Sequence, residues 1–249
     1  MRIFKDCFEA TREAERDLWE MGVEVWPETM QDKDVRGDEG FKTKEVSSYS
    51  FMITNPLAMR EEAVLYFVDT DPTLEGEEKE RAKRRLMGYC RQEIEGRTSF
   101  KIMNPGTSWK NRPEIWEEFI HEGKFAYSYY ERISPQLPRI IDELGRRPNT
   151  RQAIINIHSN FYGDIQGMGG HGRVPCSMYY QVMRREGKLN LIYCMRSCDL
   201  LIHFPVDVYL AIGMQKFIAK QLKIPVGQYS MFMGSFHAYY KDIEPRGIF

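Results

Sequence analysis

Hydrophobic positions in this chain follow a helical period through much of its first half and a strand period through much of its second. Phe4, Cys7, Phe8, Thr11, Ala14, Leu18 and Met21 form one helical stripe with charges between them, and Gly22 is placed to end that helix. Residues 31–44 are charged, include Gly37 and Gly40 and read as a loop, followed by a strand over 46–54. A short apolar run at 62–68 reads as another strand. Residues 75–95 are mostly Glu, Lys and Arg, with Leu86, Met87, Tyr89, Cys90 and Ile94 marking one side, the pattern of an exposed helix laced with ion pairs. After a turn cluster at 104–109 come a short helix over 113–120, an aromatic stretch at 125–130 and a helix over 134–144 stopped by Gly145. A β-rich run at 153–158 leads into the glycine-rich 163–172, expected to be a mobile loop because no P-loop lysine follows it.

The most informative stretch is 173–207. Two alternating segments flank a tight turn at Glu186-Gly187-Lys188, which predicts a hairpin. Its outer ends must meet, so Cys176 at the start of one strand falls beside Arg196, Ser197 and Asp199 at the end of the other. An amphipathic helix over 206–222 follows, with Tyr209, Ile212, Phe217, Ile218 and Leu222 on its apolar side. A closing strand over 229–240 carries His237 and Tyr239 on one face.

Composition narrows what that sheet edge can do. Lys and Arg number 35 against 36 Asp and Glu, a net charge of -1, which argues against broad binding to nucleic acid or to an anionic membrane. A single small anion held by a local arginine cluster is still compatible. The 5 cysteines form an odd set without C-x-x-C spacing, and the N-terminus has no apolar signal segment, so a cytoplasmic protein with reduced thiols is expected. No apolar run approaches the roughly 20 residues of a membrane span. With no linker or repeat, residues 1–249 read as one domain.

Arg196 and Ser197 together suit a phosphate, one offering a forked cation and the other a hydroxyl. Cys176 is the nucleophile candidate; a free thiol is mostly protonated near neutral pH, and a neighbouring guanidinium would favour the thiolate. Other readings stand beside this one. Cys176 could be an inert buried residue or the nucleophile of a hydrolase using His203 or His237, and Asp207 could N-cap the helix that follows it.

Pro175-Cys176, the hairpin, Arg196-Ser197-Cys198-Asp199, Phe204-Pro205-Val206-Asp207 and the 234–239 run G-S-F-H-A-Y occur in an order and spacing that resemble the thymidylate synthase superfamily, which includes phage pyrimidine-nucleotide hydroxymethylases. The resemblance is good over 151–239. It implies an α/β fold of the α+β kind, with a large mixed sheet flanked by helices, assembled as a homodimer. It implies 5,10-methylenetetrahydrofolate as one-carbon donor and a pyrimidine nucleotide as acceptor, with Cys176 adding at C6 to make C5 nucleophilic. Arg151, Arg196, Ser197, His237, Tyr239 and a loop cation, Arg36, would hold the nucleotide. Asp199, Trp116 and Tyr127 would meet the folate, and Glu93, or Glu95, would organise water and proton transfer.

Four departures from the family pattern shape the expectation. Asp207 stands where uracil-directed members carry asparagine; a carboxylate accepts from the cytosine amino group and can share a proton with N3, which favours dCMP over dUMP. Gln152 stands where a second phosphate arginine is expected from across the dimer. Ser177 replaces the histidine that usually follows the synthase cysteine, and the chain ends at Phe249 without the long tail that excludes water. The implied reading is a dCMP 5-hydroxymethylase, with C5 methylation of dCMP or dUMP and a non-catalytic nucleotide-binding relative as alternatives.

Overall fold

The computed structural model describes residues 1–31, 33–168 and 172–247. The strands are β1 (Arg2–Phe4), β2 (Val23–Val25), β3 (Thr29–Met30), β4 (Lys33–Asp34), β5 (Thr43–Ile53), β6 (Ile154–Asn156), β7 (Ser177–Arg185), β8 (Lys188–Asp199) and β9 (Val226–Tyr239). The sheet runs β1-β5-β9-β8-β7-β6, with β2 paired to another stretch of β5, while β3 and β4 form a small separate ribbon. It is mixed: β1 is parallel to β5 and β8 to β9, and the other neighbours are antiparallel. The hairpin is as expected, with Arg185 opposite Lys188 and both Glu186 and Gly187 at positive φ, the two-residue turn that matches strand twist.

One face of the sheet carries the core. Phe51, Met231, Tyr193, Tyr180 and Ile155 lie in register across five strands, and Ile53, Tyr229, Leu191 and Val182 form the next row; all are buried. Each such side chain withdrawn from water contributes about 1.5–3 kcal/mol before conformational entropy is charged against it. On this face lie α1 (Cys7–Met21), whose predicted stripe is buried at Cys7, Thr11, Ala14 and Leu18, joined by Ala10, while Met21 is exposed, and α7 (Phe204–Leu222). Helix α7 is apolar nearly all round because it has a second layer above it. Val206, Tyr209 and Leu210 pack against Val64 of α2 (Arg60–Asp69) and Met87, Tyr89 and Cys90 of α3 (Gly76–Arg97). The remaining helices are α4 (Pro113–Trp116), α5 (Tyr129–Ile133), α6 (Leu137–Arg146) and α8 (Tyr240–Ile243).

Several sequence expectations change here: Phe4 lies in β1 and not on the first helix, and Gly145 lies inside α6, which runs to Arg146, and does not end it. The apolar run at 62–68 is part of a helix, α2, burying Ala63, Val64 and Phe67. So short a run has no period that separates strand from helix, and the two-layer packing around α7 decides it. Helix α3 forms where expected, but only its first turns are a solvated charged face; its end buries Tyr89, Cys90, Glu93, Gly96 and Arg97. Of the loop expected at 163–172, residues 169–171 lie outside those described.

Strand alternation also slips once. Along β9 the buried positions are Tyr229, Met231 and Met233, then Phe236 and Ala238; along β8 they are Leu191, Tyr193 and Met195, then Cys198. The slip falls at Gly234, where a Cβ would come within 2.8 Å of the Arg196 carbonyl oxygen. Across on β5, Ser48 takes a φ of 60° at the same level. Beyond this shared kink Thr43, Glu45, Ser197, Asp199, Ser235, His237 and Tyr239 line a cavity at the strand ends.

The buried Gln215 ties α7 to the sheet, its Nε2 donating to Leu189 O at 2.8 Å and Gln228 O at 3.0 Å. Replacing Gln215 with Ala should cost about 1–3 kcal/mol in urea unfolding, because the buried Leu189 carbonyl and the part-buried Gln228 carbonyl lose their donor. A loss below about 0.5 kcal/mol would mean that these bonds do not hold the helix.

Candidate active site

The cavity, of about 590 Å³, lies where the parallel strands β8 and β9 end and α7 begins. Its walls include Cys176, Arg196, Ser197, Asp199, Asp207, His237, Tyr239, Trp116 and Tyr127 from among the residues named from sequence. The hairpin closes as expected: Arg196 N–H donates to Cys176 O at 2.8 Å, and the Ser197 hydroxyl lies 3.7 Å from Cys176 Sγ. The Arg196 guanidinium is fixed by its own loop, with Nε donating to Pro175 O at 3.0 Å and Nη2 to Val174 O at 2.9 Å. Among the described residues the thiol's hydrogen-bond partner is therefore a hydroxyl and not an imidazole. His237 pairs through Nδ1 with Ser235 Oγ at 3.1 Å, and His203 sits with its ring centre 5.8 Å from that of Trp116.

Burial sets the charge states. It lowers His203 to about 3, helped by Arg112, and His237 to about 4, helped by Arg196, so both imidazoles are neutral at pH 7. Burial pushes the Asp207 carboxyl up to about 6 against the pull of Arg97, Arg112 and a hydrogen bond from the Cys198 thiol. Asp207 is not the helix cap: α7 starts at Phe204, which puts Asp207 in its first turn facing the cavity. Asp199 rises to about 7 through burial and the nearby Asp242, although its Oδ1 accepts from Leu201 N–H at 2.9 Å and Ile202 N–H at 3.1 Å.

Other named residues lie elsewhere. Glu93 is buried behind the main cavity and borders a smaller one of about 40 Å³. Its Oε1 accepts from Arg97 Nε at 2.9 Å, and its Oε2 from the hydroxyls of Ser108 and Tyr130, each at 2.7 Å. Tyr130 is clamped there by Gly96 and Gly106, where a Cβ would come within 2.4 and 2.2 Å of its ring. Arg36 is exposed and paired with Asp34, outside the cavity. Arg151 is exposed beside β6, also outside it. Ser177 is buried, its hydroxyl 3.2 Å from Tyr129 OH and bonded to Tyr193 OH.

Sequence reading missed three arginines. Arg112 is buried, donates to Ile202 O at 3.1 Å and lies over the Tyr89 ring. Arg97 lines the cavity, four residues after Glu93, a spacing visible in the sequence. Arg173 packs against Phe119 at 4.3 Å, Tyr127 at 5.2 Å and Trp116 at 5.6 Å, an aromatic cage assembled from segments distant in sequence.

The family model for thymidylate synthase matches residues 94–246, more than half of the chain, and the protein belongs to that family. The match begins just after Glu93 and does not reach Arg36. A putative thymidylate synthase of Methanocaldococcus jannaschii is 32% identical over 120 residues, covering 48% of this chain and 54% of that protein. The thymidylate synthase of Vesicomyosocius okutanii is 22% identical over 165 residues, covering 61% of this chain and 59% of that one. This chain thus spans between half and three fifths of the length of these two relatives. Among solved structures, T4 phage thymidylate synthase superimposes with a TM-score of 0.60 at 16% identity, over 94% of this chain and 77% of that one. Thermostable thymidylate synthase A of Bacillus subtilis gives 0.64 at 17%, over 97% and 82%. At these identities the structural likeness establishes the fold, the large mixed sheet flanked by helices.

Burial ranks the thiols. Cys7 and Cys90 are buried and pushed up to about 12, and Cys198 is buried and also raised well above the ordinary thiol range, whereas Cys176 opens on the cavity. Brief treatment of the native protein with iodoacetamide should modify Cys176 ahead of these three. Peptide mapping that finds Cys90 or Cys198 labelled first would contradict this cavity geometry.

Proposed function

We propose that this protein, acting as one domain over residues 1–249, transfers a one-carbon unit from 5,10-methylenetetrahydrofolate to C5 of dCMP and releases the hydroxymethyl product. The observation that carries this reading is the placement of the Asp207 carboxyl in the same cavity as Cys176, at an acidity near 6 that lets it give or take a proton close to neutral pH. C5 of a pyrimidine is a poor nucleophile until C6 is attacked. As the Cys176 thiolate bonds to C6, the C5=C6 pair moves to C4–C5 and the N3=C4 pair moves onto N3. N3 then takes the proton of Asp207, whose other oxygen accepts from the 4-amino group. Uracil presents the opposite pattern and leaves the carboxyl mismatched.

Arg196 and Ser197 hold the phosphate in this reading. Nε and Nη2 of Arg196 are occupied by backbone carbonyls, so its remaining N–H groups serve the ligand. His237, neutral, and Tyr239 take the sugar hydroxyl. The cavity wall also fits a flat heteroaromatic cofactor: Trp116, Phe119 and Tyr127 offer ring faces, and Trp116 Nε1 and Arg173 Nε are buried donors without a protein acceptor. When bound, the folate supplies the one-carbon unit; Asp199, Trp116 and Tyr127 are the residues that would hold it. Polar side chains on the cavity walls, Thr29, Gln31 and Glu45 among them, favour capture of water over hydride at the last step.

The partner is a second copy. The face of the sheet opposite the core bears Phe232, Tyr179 and Ile154 at 39, 36 and 43% exposure, with Met52 and Ile192 in the same rows. A dimer on this face would bring Arg151, remote from its own cavity, towards that of the partner. Phe232→Arg should then give a monomer in sedimentation analysis and weaken nucleotide binding; an unchanged sedimentation coefficient refutes this interface.

The decisive assay is tritium release from [5-3H]dCMP and [5-3H]dUMP with methylenetetrahydrofolate. Release from dCMP, abolished in Cys176→Ala, is expected, and Asp207→Asn should shift preference towards dUMP by about 100-fold or more. Release from dUMP alone by the wild type would overturn the cytosine assignment. Product analysis then separates hydroxymethyl from methyl.

A further inference from the structure

The carboxyls of Asp207 and Glu93 are differently placed. Asp207 lines the cavity; Glu93 does not, and Arg97, which pairs with Glu93, does. Arg97 and Glu93 are 3% and 6% exposed, so this pair is shielded from solvent. Glu93 Oε1 faces a nitrogen that can only donate, and Oε2 receives two hydroxyls, the bonding pattern of a carboxylate. The ring of Tyr129 covers the Arg97 guanidinium at 4.4 Å. Arg97 is thus the member of the pair that meets the main cavity.

We propose that Arg97 is a positioning residue that divides the work of the two carboxyls: it keeps Glu93 a fixed anion and leaves Asp207 alone to exchange a proton with the pyrimidine ring. This rests on the nucleotide reading above. The groups facing Asp207 make it specific. They are Cys198 and Tyr193 on β8, Tyr180 on β7, Tyr229 on β9, Tyr129 on α5, Glu93, Arg97 and Tyr89 on α3, and Arg112 ahead of α4. After burial, Arg97 is the largest influence on Asp207 and opposes it, while Glu93 acts the other way. Removing one member of the α3 pair should therefore move Asp207 up, and removing the other should move it down.

Binding provides a readout free of folate and of turnover. A neutral cytosine needs one proton shared between N3 and Asp207, so dCMP affinity should hold below the Asp207 midpoint and fall about tenfold per pH unit above it. Calorimetric titration with dCMP from about pH 5 to about pH 9 covers the range in which a carboxyl raised by burial titrates. Arg97→Met should raise the midpoint by about one unit. The variant would then bind dCMP more tightly than wild type at alkaline pH, although it has lost a cation near the site. Glu93→Gln should lower the midpoint, and Arg97→Lys should leave it in place. The phosphate's own ionisation is common to all four proteins and cancels in the comparison. Opposed shifts support the proposal, because general structural damage weakens binding at every pH without moving the midpoint in opposite directions. Unmoved midpoints in Arg97→Met and Glu93→Gln overturn it while leaving the nucleotide reading intact. If wild type fails to bind dCMP, both fall. Should Arg97→Met not fold, Glu93→Gln and Arg97→Lys still decide: a downward shift in the first and none in the second supports the proposal, and any other result overturns it.

Discussion

The close approach of β8 to β9 at Gly234 is the constraint on which the site depends. A side chain there would collide with the Arg196 carbonyl, so the strands can lie at this distance only over glycine. The kink that results shifts the buried phase by one residue in both strands. Without that shift, strict alternation from Tyr193 and Met195 would carry Ser197 and Asp199 onto the core face. With it, Phe236 and Cys198 take the core positions, and the polar positions between them line the cavity. A polar site is thereby made at the end of a sheet whose core face is apolar, and the strands resume their pairing on either side of Gly234.

The same economy of position governs α7. A helix buried on nearly all sides has few places where a charge is tolerable, and its first turn is one, because unpaired N–H groups there favour a carboxylate. Asp207 occupies that turn, where the thiol of the β8 residue Cys198 reaches it. Burial opposes ionisation and the arginines favour it, and the balance leaves the group able to titrate near neutrality. Asp199, at the end of β8, is raised mainly by burial, so the two acids differ in neighbours more than in depth.

The second half of the chain was legible because its signals are local. Two alternating strands, a two-residue turn and a helix opened by Phe204-Pro205 are each decided within a few residues, and a hairpin needs no further information to bring Cys176 to Arg196. The 62–68 run was not legible, since whether six consecutive apolar residues form a strand or a helix is decided by α3 and α7 packing around them. The site shows the same division. Residues on the hairpin and β9 could be named from order and spacing. Arg173 and Arg112 could not, because their partners, Phe119, Tyr127 and Tyr89, come from segments that only the tertiary fold assembles.

Arg97 falls between these cases. Its i, i+4 relation to Glu93 is readable in a sequence crowded with such pairs, and most of those on α3 are solvated and worth a few tenths of a kcal/mol. Burial is what changes the meaning of this one. An exposed pair can lose a member at little cost, whereas a buried carboxylate deprived of its cation is left uncompensated in a medium that penalises charge heavily. The structure surrounds Glu93 with a cation and two hydroxyls, one of them from a tyrosine wedged between two glycines, which fixes its position. A group held so completely is poorly suited to deliver a proton and well suited to set the field in which a neighbouring carboxyl does so.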